Sequence, residues 1–311
     1  MIDLRQSPHY VDYMRSRGWV VESVPAVRRT HSASSGSENI QPTRLYAYIR
    51  RLGWLPLAVM KIQRFSRLPD FEAIERLAHT YHVISISLEP GKATQISDSD
   101  IERLMNTRGY RNSRWPMLPS KTLVINLTKR HADLFADMKK DARRSITKAR
   151  LKSAANILRS INQQSIERFH SFWRHNGRGY IPPLTDFVSL LRSFEKDAYL
   201  VECSSGGGHL LSGCVILVSR GCAYYCYAVT SSQGRSQFSG YLTVWEAMRE
   251  AKRRGCRLFD LEGVYDPRFP HLKRWRGFSS FKRKFGGEEI TYPGPFVRTF
   301  FPFSFFSTFG L

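Results

Sequence analysis

The chain has 311 residues, 42% of them apolar, with 48 Lys and Arg against 26 Asp and Glu for a formal charge of +22. That length suits two domains of roughly 150 residues each, and the 13% aromatic content excludes a disordered basic tail. A charge so far from zero calls for an anionic partner: RNA, anionic lipid or a phosphorylated substrate.

The first elements alternate. Ser7-Pro8 reads as an N-cap and first-turn pair opening a helix that ends at Gly18. A Ser-rich loop, Arg28 to Thr43, suits a connection or lid. The runs "RLYAYIRRL" and "PLAVMKIQRF" read as strands on either side of a Gly-Trp-Leu turn. "DFEAIERLAHTYH" has helical spacing, "VISISLEP" is a buried strand, and "DSDIERLMNTRGY" is a helix capped by Asp98 or Ser99. After a loop with Pro116 and Pro119, "KTLVINL" is a strand. This alternation predicts an α/β domain.

From Thr128 to Lys152 the pattern predicts one long helix. Leu134, Met138, Ala142, Ile146 and Ala149 form an apolar stripe. Lys139, Lys140, Arg143, Arg144, Lys148, Arg150 and Lys152 take the remainder, with Asp141 the only acid from Lys139 onward. Such a helix forgoes the mixed-sign pairs of an ordinary exposed helix, and is either merely solvated or turned to a polyanion.

The second half repeats the logic with two helices, "QSIERFHSFWRHNG" and "TDFVSLLRSFEKD", and three strands, "AYLVEC", "HLLSGCVILVS" and "CAYYCYAVT". A helix "GYLTVWEAMREAKRRG", the strand "RLFDL" and a final strand "EEITY" follow. That order is the one found in N-acetyltransferase folds. Two such units in tandem are therefore expected, 1–150 ending in the basic helix and 151–311 carrying a Phe-rich tail. The five cysteines, Cys203, Cys214, Cys222, Cys226 and Cys256, sit mostly in apolar runs and read as free thiols, with no metal-ligand spacing.

In an acetyltransferase, CoA pyrophosphate meets backbone N–H groups at a glycine-rich helix start. The matching place here, "SSQGRSQFSGYLTVW", puts Phe238 where the first glycine belongs and keeps only Gly240. A benzyl group there obstructs a phosphate, so no CoA and no other cofactor is expected.

"TLVINLTKRHADLFADMKKDARRSITKAR", "RGYIPPL", "SGYLTVWEAMREAKRRGCRLFDLEGV" and "FKRKFGGE" together resemble, in this order, the hallmarks of Fem-type (FemABX) peptidyltransferases over roughly residues 120 to 290. The resemblance implies transfer of an amino acid from aminoacyl-tRNA to the side-chain amine of a UDP-linked or lipid-linked muropeptide. It implies a role for Lys282 beside the aminoacyl ester, with Arg283 and Lys284 joining Lys139, Lys140, Arg143, Arg144 and Lys148 on the RNA. For the acceptor it points to Tyr180. Asn176 stands where the family has an arginine, so Arg178 or Arg174 would substitute, with Arg178 preferred for its fit to phosphate. Tyr241 either lines the same cleft or packs, and Arg64 is a candidate for the N-terminal wall. Among Asp260, Glu262 and Asp266, Asp260 is either the base or a structural carboxylate that caps a loop. Between Val264 and Phe281 the chain has Pro267 and Pro270 and no heptads, so the coiled-coil arm of some family members is not expected.

The tail "PGPFVRTFFPFSFFSTFGL" holds seven phenylalanines and is too short and proline-broken to span a bilayer. It either packs back or touches a membrane surface. The N-terminus lacks an apolar signal core, and the expectation is a cytoplasmic monomer, peripheral to the inner face of the membrane if the tail inserts. Two rivals stay open: a CoA-dependent N-acyltransferase, and a non-catalytic RNA-binding or membrane-surface protein.

Overall fold

The computed structural model describes residues 3–26, 44–92, 97–159, 161–177 and 179–300. In chain order it runs α1 (Pro8–Ser16), β1 (Val20–Pro25), β2 (Arg44–Arg51), β3 (Ala58–Phe65), α2 (Phe71–Thr80), β4 (Val83–Pro90), α3 (Asp98–Thr107) and β5 (Arg111–Asn112). Then come β6 (Lys121–Asn126), α4 (His131–Ala136), α5 (Lys140–Lys152), β7 (Ser153–Leu158), α6 (Gln163–Asn176), α7 (Leu184–Phe194), β8 (Ala198–Ser205) and β9 (Leu210–Ser219). The chain ends with β10 (Cys222–Thr230), α8 (Ser232–Ser236), α9 (Ser239–Arg253), β11 (Leu258–Gly263), α10 (Arg276–Arg283), β12 (Glu288–Thr291) and β13 (Phe296–Thr299).

Local chemistry sets the helix starts. Ser7 Oγ accepts from the Tyr10 N–H at 3.2 Å to open α1, and Asp70 accepts from Glu72 and Ala73 to open α2. The cap of α3 is Ser97, one residue ahead of the expected pair, with its Oγ 3.1 Å from Asp100 N. The Ser-rich loop from Arg28 to Thr43 lies outside the described residues.

Two units emerge, Met1–Ser120 with Tyr292–Leu311, and Lys121–Thr291. The division expected at residue 150 is therefore displaced. The reason is strand pairing: β6 is bound on both edges within the second unit, by β11 and β12, and it takes the basic helix with it. At the other end, β13 pairs with β4 and β5 of the first unit, an element the sequence pattern did not announce. Residues 301–311, the rest of the Phe-rich tail, lie outside the described residues.

The first unit's sheet has the order β1-β2-β3-β4-β13-β5. Its core includes Ile49, Ile62, Ile74, Ile86 and Leu88, each fully buried. β3 and β4 are parallel and paired along nearly their whole length, from Ala58↔Val83 to Phe65↔Pro90. The second unit's sheet has the order β12-β6-β11-β10-β9-β8-β7. Its core joins β8 to β11 with α5 and α9 through residues such as Ile146, Val201, Ile216, Val244 and Phe259.

The predicted long helix is two helices, although every residue of its apolar stripe is buried. The break lies at Asp137 to Lys139. Lys139 is extended and its N–H donates to Lys284 O at 2.9 Å, so the turn after α10 occupies the place of the missing helical bonds. From Val264 to Phe281 the chain makes a turn, a short 3-10 segment and α10, with no coiled-coil arm. None of the five cysteines is in a disulfide, and Cys226 alone among them is not buried.

Candidate functional site

The parallel strands of the two units differ in one respect that matters for chemistry. In the second unit β10 and β11 pair only over Cys222↔Leu258, Ala223↔Phe259 and Tyr224↔Asp260, then part. A fork opens beyond Tyr224, at the C-terminal ends of the parallel strands, where α/β folds place ligands.

Irregular backbone holds the fork open on both arms. On β10 the register shifts between Tyr225 and Tyr227. Strict alternation would put both rings on one face. The bulge instead leaves Tyr225 packed near Phe259, in the core with α9, and turns Tyr227 to Trp173 and Phe187 of the other layer at 5.0 and 5.6 Å between ring centroids. On β11 the register shifts between Asp260 and Gly263, and Glu262 takes a left-handed φ of 59°. The Asp260 carboxylate fixes that distortion, accepting from the Thr122 hydroxyl and, at 2.7 Å, from Glu262 N–H. This buried carboxylate braces the bulge, so of the two readings offered for Asp260 the geometry favours the structural one.

Lys282 enters this fork from α10. Helical spacing puts Ser279 and Lys282 on the buried face of α10. Ser279 Oγ donates to Trp275 O and accepts from Tyr265 N–H, both at 2.7 Å. Lys282 is 9% exposed and its Nζ donates to Gly263 O at 2.8 Å. The same nitrogen stands 5.0 Å from the Phe278 ring centroid and 5.9 Å from that of Tyr225. Burial pulls its pKa down to about 8, against the opposing charges of Glu262, Asp260 and Cys226. At neutral pH the fork thus holds a largely dehydrated ammonium ion. The "FKRKF" segment is helix and turn, and its first lysine, Lys282, points inward.

Lys284 ties α10 to the basic helix. Its Nζ is 2.7 Å from an Asp141 carboxylate oxygen and 3.3 Å from Tyr241 Oη. Tyr241 packs against Phe281 and Phe285, with centroids 4.8 and 5.8 Å apart. This is the packing alternative offered for Tyr241. Three of the expected RNA-facing cations are engaged inside the unit. Lys284 pairs as described, Arg283 pairs with Glu289, and Arg143 donates to Ala136 O and Met138 O at 2.7 and 2.6 Å. The others remain outward. Lys139, Lys140, Arg144 and Lys148 are exposed, and Lys140, Arg144, Lys148 and Lys152 recur every fourth residue along α5 with no ion-pair partner among the described residues. At about 1.5 Å of rise per residue this row is roughly 18 Å long.

On the acceptor side, Tyr180 is 83% exposed, and Arg178 lies outside the described residues. Asn176 caps the end of α6 by donating to Phe172 O at 3.0 Å. Gly177 then lets the chain fold over Trp173, since a Cβ there would lie 2.5 Å from the indole. His170 Nε2 is 2.9 Å from Pro182 O and holds the far end of the loop. The loop therefore rests on the ring layer that the β10 bulge completes with Tyr227. Arg64, expected on a substrate wall, is turned into the first unit. It is 5% exposed, donates to Pro119 O, and lies 3.7 Å over the Tyr292 ring. A guanidinium held this way is structural.

At the start of α9, Phe238 adopts a left-handed conformation (φ 61°) and makes no side-chain cap. Its ring packs on the core, with Lys148 Nζ 5.9 Å from the centroid. Gly234 serves packing, because a Cβ there would lie 2.2 Å from Leu211 O.

A family described as FemAB matches residues 191–307, a stretch that includes β10, the bulge, β11 and Lys282. Over that stretch the chain is similar to Fem-type proteins. Its fold is similar to that of the crystal structure titled FemX, with a TM-score of 0.76 at 14% identity over 96% of this chain and 92% of that one. It is also similar to a tandem GNAT protein from the clavulanic acid biosynthesis pathway, with a TM-score of 0.53 at 11% identity over 84% and 81% of the two chains. At such identities the likeness is one of fold, and it bears out the tandem acetyltransferase-like architecture. No curated protein sequence matches the chain.

Proposed function

We propose that this protein is a Fem-type aminoacyltransferase that moves an amino acid from aminoacyl-tRNA to the side-chain amine of a peptidoglycan-precursor stem peptide. The observation that carries the reading is the Lys282 ammonium, held at Gly263 O in the open fork of β10 and β11. Attack of an amine on the ester carbonyl places negative charge on the carbonyl oxygen, and the ester bond then breaks toward the ribose oxygen. A fixed cation in a dehydrated fork stabilises that oxyanion more than water would, because it needs no reorganisation. Gly263 O holds one of the three ammonium hydrogens and leaves the others available.

The outward basic row of α5 supports a nucleic-acid donor, since evenly spaced unpaired cations suit a phosphate backbone. The loop bearing Tyr180, seated on Trp173 and Tyr227, is the proposed acceptor side. No carboxylate of this chain is given the base role, and the stem peptide's own carboxylate can take the proton.

The test is transfer of a labelled amino acid from charged tRNA to a muropeptide. Lys282→Met is expected to lower the rate about 10²- to 10³-fold, the scale of losing one preorganised oxyanion partner. A variant with the full wild-type rate refutes the assignment.

A further inference from the structure

The turn between β2 and β3 presents its largest side chain to solvent on an ordered frame. Leu52 N–H donates to Leu57 O at 2.8 Å, Leu55 N–H donates to Leu52 O at 3.2 Å, and Gly53 supplies a φ of +60°. On this frame Trp54 is 92% exposed and Leu55 is 38% exposed. Arg50 and Arg51, both exposed, flank the tip. From Arg44 to Pro69 the sequence has five cations besides the buried Arg64 (Arg44, Arg50, Arg51, Lys61, Arg67) and no acid. Immediately beside the tip is a cavity of about 500 Å³ whose lining includes Pro56, Leu57, Val83, Ile84 and Phe300.

We propose that this hairpin tip is a membrane-surface anchor, inserting Trp54 and Leu55 into the interfacial layer of a bilayer that contains anionic lipid. Trp is amphipathic and settles at the boundary between head groups and acyl chains. Arg50 and Arg51 would then meet the lipid phosphates, since arginines near an anionic surface are attracted over about a Debye length. One inserted group gives only weak, reversible binding, whereas an inserted group joined to a basic patch gives stable attachment. Both signals lie on this one turn.

The neighbourhood favours lipid over RNA. Stacking platforms for single-stranded RNA combine rings with a cationic groove. Here the ring is followed by Leu55, Pro56, Leu57 and an apolar hollow. From Phe300 the sequence continues with five further phenylalanines, Phe301, Phe303, Phe305, Phe306 and Phe309, which an apolar surface accommodates and a phosphate strand does not.

The test is flotation of the full-length protein with vesicles of phosphatidylcholine alone or with roughly one third phosphatidylglycerol. Wild type is expected to float with the anionic vesicles. Trp54→Ser with Leu55→Ser should weaken that binding about tenfold, and Arg50→Gln with Arg51→Gln should weaken it several-fold and flatten its salt dependence. Circular dichroism and the denaturation midpoint should be unchanged in both. Failure of wild type to bind either vesicle overturns the proposal, as does undiminished binding by the Trp54/Leu55 variant. Equal binding to neutral vesicles overturns the anionic-lipid part. Loss of binding only when Phe305 and Phe306 are replaced by Ser assigns the contact to the tail instead. A Trp54/Leu55 variant that keeps vesicles and loses RNA overturns the choice of lipid. None of these outcomes depends on the transfer chemistry.

Discussion

Lys282→Met is expected to stabilise the fold while it removes activity. The ammonium is almost entirely buried, and its pKa falls from the ordinary 10.5 to about 8. A fall of about 2.5 units corresponds to roughly 3 kcal/mol of unfavourable burial at neutral pH. The unfolded chain binds this proton more tightly than the folded one, so the burden is full below pH 8 and shrinks as pH rises toward 10.5. Methionine fills similar space without the charge, but it leaves Gly263 O without its 2.8 Å donor, a loss of about 1–2 kcal/mol. The net expectation is a gain of about 1–2 kcal/mol at pH 7 that disappears near pH 10. Urea denaturation of both proteins at pH 7, 8.5 and 10 measures it. A variant less stable than wild type at pH 7, or one with the same pH slope, would show that Lys282 is not buried as a charge.

Two further expectations are independent of that nitrogen. Glu250, with its side chain 1% exposed, is ringed by Arg159, Arg253 and Arg254 at 2.9, 2.8 and 3.1 Å. Burial pulls its carboxyl up, but the hydrogen bonds from these arginines overcome that and hold it down to about 2. The resulting stability is present above pH 4.5 and is lost as pH falls toward 2. Discounted for guanidinium groups that are partly exposed, it is about 2 kcal/mol, so Glu250→Gln should lose about that much at pH 7 and show a flatter acid limb in denaturation. For the basic row, replacing Lys140, Arg144, Lys148 and Lys152 by Gln should leave the circular dichroism unchanged. It should also lower the slope of log affinity for tRNA against log salt by about 0.7–0.9 per charge.

The parts of this fold legible in the sequence were those with strong local periods. The stripe from Leu134 to Ala149 and the strands β8 to β10 read directly from apolar spacing. The breaks came from distant partners. Nothing in "FADMKKDARR" announces that Lys139 will donate to Lys284, and that bond splits the predicted helix. Likewise "CAYYCYAVT" alternates well enough to hide a bulge. The distortion at Asp260 rests on Thr122, 138 residues upstream in sequence. The edge strand β7 and the short inner strand β13 carry little hydrophobic signal, because no residue of β7 and only Phe296 of β13 is buried. Lys282 was found by resemblance, while its inward direction followed from the helix geometry of α10, which the run of cations did not announce. Arg64 misled for the opposite reason: an arginine after a strand looks like a binding residue until its carbonyl partners are known.

Phe238 discriminates between this reading and a CoA-dependent one. It occupies a left-handed position where glycine costs nothing and other residues cost about 1 kcal/mol or more. Its half-buried ring recovers a comparable amount by packing. Phe238→Gly should therefore change stability by less than about 1 kcal/mol while removing the benzyl group from the residue that precedes the 15-residue α9. The first N–H groups of that helix and its dipole favour an anion, so the variant should gain measurable affinity for acetyl-CoA by calorimetry, whereas wild type should show none. Micromolar binding by wild type would mean that the benzyl group does not obstruct the pyrophosphate. The amine-transfer chemistry at Lys282 would then have to be sought with an acyl thioester donor rather than a tRNA ester.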